Sequence, residues 1–264
     1  MCLLLLAYRA HPDFALLIGG NRDEFHRRAA LPPAIVARNP AIFAGRDLEA
    51  GGTWMGRNEW GLVAALTNRR DPAFQPPPQV RSRGEIVMGL LRHRDPASAA
   101  DWLAGLPAAE FRPYSVLFGT ERRFYYHAPR DRERPRELEP GLYALSNSTL
   151  DDRSWPKVER SLRFLEQRRT RPGEELLADL QRFLCDATPP DALPSGAPGE
   201  EIHGAMGAVF IRAAEYGTVS STIVTEGGRL GSRYYFAEAA DMVRAAGQGP
   251  SPFRLLDAGG SAPA

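Results

Sequence analysis

The sequence predicts an α+β protein, on three observations. Strand-length apolar runs come in neighbouring pairs joined by short polar turns. Helical patterns fall in blocks between those pairs instead of alternating with them. No strand is followed by a G-x-G-x-x-G or a P-loop, so nothing marks a doubly wound nucleotide fold.

Leu3–Tyr8 and Phe14–Gly20 are continuous apolar runs and read as a hairpin of buried strands, closed by the polar stretch 9–13. Asn21, Arg22, Asp23 and Glu24 then end the second strand in a run of polar groups. Thr53–Arg57 and Leu62–Asn68 form another pair, with Gly61 supplying the backbone freedom that its turn needs. The proline-rich stretch Asp71–Pro78 reads as an irregular loop. Ser82 and Glu85 have capping-box spacing ahead of Val87, Leu90 and Leu91, which predicts a helix, and a second covers Ala97–Leu103. Tyr114–Phe118 and Phe124–His127 form a further hairpin, and Leu142–Ser146 one more strand. A helix capped by Ser154 carries Pro156 in its first turn and Val158, Leu162 and Leu165 on one face. Glu174–Leu184 is also helical, and 188–199 is a loop rich in Pro, Ala and Gly. Val219–Thr225 and Arg233–Ala237 are the late strands, with Gly227 and Gly228 in their turn. Residues 1–246 read as one domain and 247–264 as a poorly ordered tail.

The 264 residues carry a net charge of +1, which gives no field to attract nucleic acid or an anionic membrane. The apolar start is too short for a signal sequence or a membrane span, so the chain reads as soluble and cytoplasmic. The partner expected is a small molecule. Neither Cys2 nor Cys185 lies in a C-x-x-C, and the histidines are scattered without H-E-x-x-H, so no metal site is expected. A Cys2–Cys185 disulfide is formally allowed, though the lack of a secretory signal points to a reducing compartment. The basic residues are arginines except Lys157, which sits on what reads as an ordinary helix.

Cys2 stands out by its position. Methionine aminopeptidases remove Met1 when the next side chain is small, which would leave a thiol and an α-amine on one residue. An α-amine with a pKa of about 7.7–8.0 can take the thiol proton without a histidine. A hairpin returns on itself, so Arg22 and Asp23 come back near the chain start. Arg22 could hold a thiolate or a substrate oxygen, and Asp23 could orient the amine. Asn68 and Asn147 each close an apolar strand, where an amide could donate to an oxyanion. The plainer readings are a small strand residue for Cys2, an ion pair for Arg22 and Asp23, and turn residues for the asparagines.

The initiator Met1-Cys2 followed by Asn21-Arg22-Asp23-Glu24 resembles the NRDE family, that of the transport and Golgi organisation protein 2. The resemblance extends through Gly51-Gly52-Thr53-Trp54 with Gly61-Leu62, Thr67-Asn68-Arg69, Ser82-Arg83-Gly84, Leu145-Ser146-Asn147-Ser148 and Tyr216-Gly217-Thr218. That family is in turn similar to the cysteine N-terminal-nucleophile (Ntn) hydrolases, which include bile-salt hydrolases and penicillin V acylases. The resemblance implies an αββα sandwich of two antiparallel sheets, with Cys2 as nucleophile, Arg22 and Asp23 as its support, and Asn68 and Asn147 as oxyanion or amine contacts. Asn21, Glu24, Trp54 and Arg69, in the same motifs, are candidate substrate contacts. An arginine often follows the late Gly-Thr in the family; here that position is Val219, and Arg229 or Arg233 is the candidate replacement. The expected activity is hydrolysis of a small acyl amide with no required cofactor. The alternative is a carrier of haem or of an acyl-CoA-type ligand, roles in which the family is discussed alongside secretory organisation.

Overall fold

Leu3–Tyr8 and Phe14–Gly20 lack the alternation of a half-exposed strand, so both of their faces must be covered. In the computed structural model they lie in the middle of a sheet. The model describes residues 2–71, 73–190, 206–245 and 251–257, with Cys2 and Ala245 given by their backbone alone. The chain divides into two compact units.

The first unit comprises Met1–Arg27, Pro140–Ser146 and Leu150–Leu256. Its strands are β1 (Cys2–His11), β2 (Phe14–Phe25), β10 (Gly141–Leu145), β11 (Tyr216–Glu226), β12 (Arg233–Glu238) and β13 (Arg254–Leu256). They form an antiparallel sheet in the order β10-β1-β2-β11-β12-β13. Its helices are α3 (Pro156–Arg168), α4 (Gly173–Leu184) and α5 (Ala239–Ala245). Leu3, Leu5 and Leu17 on one sheet face pack with Leu176, Leu177 and Leu180 of α4 and with Phe164 and Leu165 of α3. Those helical residues recur at three- and four-residue spacing, which makes one apolar stripe per helix.

The second unit is built on Arg28–Glu139 with Asn147–Thr149. Its strands are β3 (Ala30–Arg38), β4 (Ala41–Asp47), β5 (Met55–Asn58), β6 (Val63–Asn68), β7 (Tyr114–Gly119), β8 (Phe124–His127) and β9 (Arg136–Glu137). They run in sequence order as an antiparallel meander. Helices α1 (Gly84–Leu90) and α2 (Pro96–Ala104) cover it through Ile86, Val87, Leu90 and Leu103, packed on Ala64, Val116 and Phe118. Two of the glycine-bearing motifs meet in this unit. A Cβ on Gly52 would stand 2.5 Å from the Gly84 backbone, and one on Gly84 would stand 2.8 Å from Gly52, so only glycine allows the approach.

The α+β class with antiparallel sheets is found as expected, and several elements differ in detail. The Asn21–Glu24 run lies inside β2, because β1 and β11 pair with it on both sides. Of the Ser82–Glu85 box, only the return bond forms, Glu85 accepting from Ser82 N (3.2 Å); Ser82 Oγ accepts from Gly84 N (3.2 Å), and the helix begins at Gly84 with Arg83 in the cap position. Ser154 does not cap α3: its hydroxyl donates to Asp152, and the helix starts at Pro156 with Trp155 in the cap position. Within the stretch read as a tail, Arg254–Leu256 pairs with β12; residues 247–250 and 258–264 lie outside the described residues, as do 191–199 of the expected loop.

Candidate active site

The site is built around the middle of the first unit's sheet. Cys2 stands opposite Arg22 in the β1–β2 register, and Arg22 stands opposite Ser220 of β11. Asp23 is the next residue along β2 and stands opposite Thr218. Val219 is therefore an extra residue between two register pairs, a bulge of the kind that re-aims the side chains beside it.

Arg22 is 6% exposed and Asp23 is 1% exposed, so both are held inside the protein. The Asp23 carboxylate is engaged at both oxygens. Thr218 Oγ1 donates to Oδ1 at 2.7 Å, and Lys157 Nζ of α3 donates to Oδ2 at 3.3 Å. Tyr216 O–H donates to the Asp23 carbonyl at 2.9 Å, and Thr218 Oγ1 in turn accepts from Ile211 N at 2.9 Å. Burial pushes the Asp23 carboxyl up, against the pull of the Lys157 ammonium. The late Tyr216-Gly217-Thr218 motif thus acts as a cradle for Asp23: two of its side chains bond that residue. Its glycine passes so close to the Ile211 carbonyl that a Cβ would stand 2.6 Å away.

The flanking residues of the motif behave differently. Asn21 donates to the carbonyls of Leu184 (3.0 Å) and Val209 (2.8 Å) and accepts from Ser221 Oγ. Its amide group is engaged within the fold, where it ties β2 to the end of α4. Replacing Asn21 with alanine takes a hydrogen bond from each of those two carbonyls. Each such loss costs about 1 kcal/mol. The expected result is a lower urea midpoint, with turnover per folded molecule little changed. Glu24 is half-buried, opposite Gly217, and its carboxylate accepts from the Phe25 N–H at 2.9 Å.

The arginines offered in place of Val219 are bound elsewhere. Arg229 makes a bidentate pair with Asp13 (2.8 and 3.0 Å), and Asp13 also accepts from Gly173 N at the start of α4 (2.7 Å). These partners hold the Asp13 carboxyl down at about 2. Arg233 pairs with Glu174 at 2.8 Å and stands opposite Thr225. Thr225 lies five residues from Ser220 along β11, or about 17 Å at the usual strand rise. Neither arginine sits at the Cys2 end of the sheet.

The other candidates lie in the second unit. Asn147 is buried, and its amide donates to the Asn68 carbonyl at 2.7 Å, while its own carbonyl accepts from Arg70 N at 2.9 Å. Arg69 pairs with Asp131 at 2.7 Å, and Asp131 also accepts from Tyr126 O–H at 2.9 Å. Burial works to raise the Asp131 carboxyl, but these two donors outweigh it and hold it below the usual range. Trp54 is half-buried with its ring over Gly45, where a Cβ would stand 2.5 Å away, and its carbonyl accepts from Leu66 N at 2.9 Å.

Lys157 is the residue that sequence reasoning passed over. It is fully buried on α3, beside Val158, Ser161, Leu162, Phe164 and Leu165. A signal was present. Lys157, Ser161 and Phe164 repeat the i, i+4, i+7 spacing one step from the apolar stripe, which widens the buried arc to include the lysine. Cys185 is a free thiol at the end of α4, raised to about 11 by burial. Among the described residues no group of three or more His, Cys, Asp or Glu could hold a metal ion, and no helix is long and apolar enough to cross a membrane.

Comparison with solved structures gives the fold. The mutant C2A conjugated bile acid hydrolase from Clostridium perfringens matches 97% of this chain and 92% of its own, at 11% identity and a TM-score of 0.52. The Caenorhabditis elegans N-acylethanolamine-hydrolyzing acid amidase ortholog matches 85% and 92%, at 11% identity and a TM-score of 0.50. The chain thus has the fold of the Ntn hydrolases. It belongs to the Transport and Golgi organisation 2 family, whose sequence profile matches residues 1–235. The Bos taurus transport and Golgi organization protein 2 homolog is 30% identical over 250 residues, covering 85% of this chain and 88% of its own. The Homo sapiens homolog is 29% identical over the same shares.

Proposed function

We propose that this chain is a cysteine amidohydrolase acting on a small acyl amide, with Cys2 as the nucleophile after removal of Met1. The observation that carries the reading is the β1–β2 register, in which Cys2 stands opposite the buried Arg22 and next along from an Asp23 held at both oxygens. The fold relatives support the substrate class, since one is named a conjugated bile acid hydrolase and the other an N-acylethanolamine-hydrolyzing acid amidase.

The free α-amine of Cys2 takes the thiol proton, and the sulfur attacks the acyl carbon. Arg22 offers a fixed positive charge to the thiolate or to the oxyanion that forms. Collapse breaks the C–N bond, and the departing amine takes the proton from the α-ammonium. Water then attacks the thioester with the amine as base, which releases the acid and restores the thiol. Asn68 and Asn147 keep the oxyanion or amine roles that the family resemblance gives them. Loss of such a donor costs roughly 10²–10³ in rate, which an Asn147→Ala variant would display in kcat. Glu24, Trp54 and Arg69 remain the candidate substrate contacts.

The test is the intact mass of the purified protein with N-terminal peptide mapping, followed by a panel of N-acyl amides. A chain beginning at Cys2 that accumulates a thioester on that residue supports the reading. A retained Met1 removes the base and overturns it. The carrier alternative, for haem or an acyl-CoA-type ligand, then becomes the reading to test by titration with spectra.

A further inference from the structure

We infer that Lys157 is a positioning residue for this chemistry, acting through Asp23; the inference rests on the Cys2 reading.

Three elements converge on one carboxylate. Asp23 comes from β2, Thr218 from β11 and Lys157 from α3, and both members of the Lys157–Asp23 pair have side chains at 0% exposure. The bulge at Val219 makes the convergence possible, because it lets Thr218 meet Asp23 while Ser220 meets Arg22. Withdrawing an ammonium and a carboxylate from water is costly, and a buried pair is weak evidence of a contribution to stability. An apolar residue beside Val158 and Leu162 would pack α3 as well. The charge is therefore kept for what it does to Asp23.

That effect has two parts. Lys157 balances the Asp23 charge where water cannot, and it fixes Oδ2 while Thr218 fixes Oδ1. The carboxylate is left with one orientation. Asp23 lies one step past the register partner of Cys2, on the side where β1 begins, so it is the carboxylate set beside the released amine of Cys2. An oriented Asp23 holds that amine in the geometry that accepts the thiol proton. With Lys157 neutralised, Asp23 is free to turn or to take up a proton, and the amine loses its guide.

The experiment compares wild type with Lys157→Met and Lys157→Arg on an N-acyl amide that the wild type turns over, with active sites counted by thioester labelling of Cys2. Lys157→Met is expected to lower kcat about 100-fold with KM within about threefold, and Lys157→Arg to recover part of kcat. A purely structural role would change the number of labelled sites and leave kcat per site unchanged. A second reading needs no variant. Lys157 is the only lysine in the chain, so isotope-labelled lysine gives one side-chain signal. That signal is expected to shift when Cys2 is acylated in the wild type. An unchanged kcat per site, or a lysine signal that ignores acylation, overturns this inference alone. A wild type inert to every amide removes the Cys2 reading and this inference together.

Discussion

Replacing Cys2 with alanine removes acyl-enzyme formation, and amide turnover falls by on the order of 10⁶-fold, the scale seen when a hydrolase loses its nucleophile. The α-amine, Arg22 and Asp23 all survive in this variant, so what disappears is the atom that bonds the acyl group. Cys2→Ser keeps the amine and a nucleophile of similar size, but its hydroxyl is far weaker at neutral pH than a thiolate. Residual turnover well below wild type is expected. The second cysteine supplies the control. Burial pushes the Cys185 thiol up to about 11, so at pH 8 it is almost wholly protonated. Cys185→Ala leaves turnover unchanged, and a thiol reagent at pH 8 modifies Cys2 first. Mass spectrometry of the labelled peptides checks both. Full turnover by Cys2→Ala would sink the nucleophile assignment.

β1 and β2 were legible because they carry unbroken apolar runs, and that hairpin alone was enough to bring Arg22 and Asp23 back to the chain start. The end of β2 was not legible. Asn21, Arg22 and Asp23 look like a surface turn by composition, yet they are buried because each pairs with β1 or β11 and because Asn21 and Asp23 also find partners among side chains or helix-end carbonyls. Such compensation is long-range and leaves no local mark. β3 was hidden by Pro32 and Pro33, which argue against a strand. It tolerates them as the edge of its sheet, where the register slips between Leu31 and Ala34. β13 has only three residues, Arg254–Leu256, and exists because β12 offers it an edge. Lys157 sits on a helix that reads as ordinary, and a lysine is rarely buried, so its role there is not legible. Its partner lies 134 positions away in sequence, and no spacing rule reaches that far.

Asp23→Ala carries the largest expected loss of stability. Removing one member of a buried ion pair leaves the other charge uncompensated, at a cost of about 3–5 kcal/mol. Typical domains have about 5–15 kcal/mol in all. The Lys157 ammonium would then lose the carboxylate that it bonds inside the protein. Urea unfolding followed by circular dichroism is expected to show a midpoint lowered accordingly, with the slope unchanged. Adding Lys157→Met to Asp23→Ala is expected to recover most of that stability, since the stranded charge goes with it. Turnover is not expected to recover, because the amine of Cys2 still lacks its carboxylate. The two readouts separate what the pair does for the fold from what it does for the reaction. A double variant that regained both would make Asp23 a structural residue and leave Arg22 as the support for Cys2. A double variant no more stable than Asp23→Ala would mean that the loss arises from the cradle around Tyr216 and Thr218 instead of from the unpaired lysine.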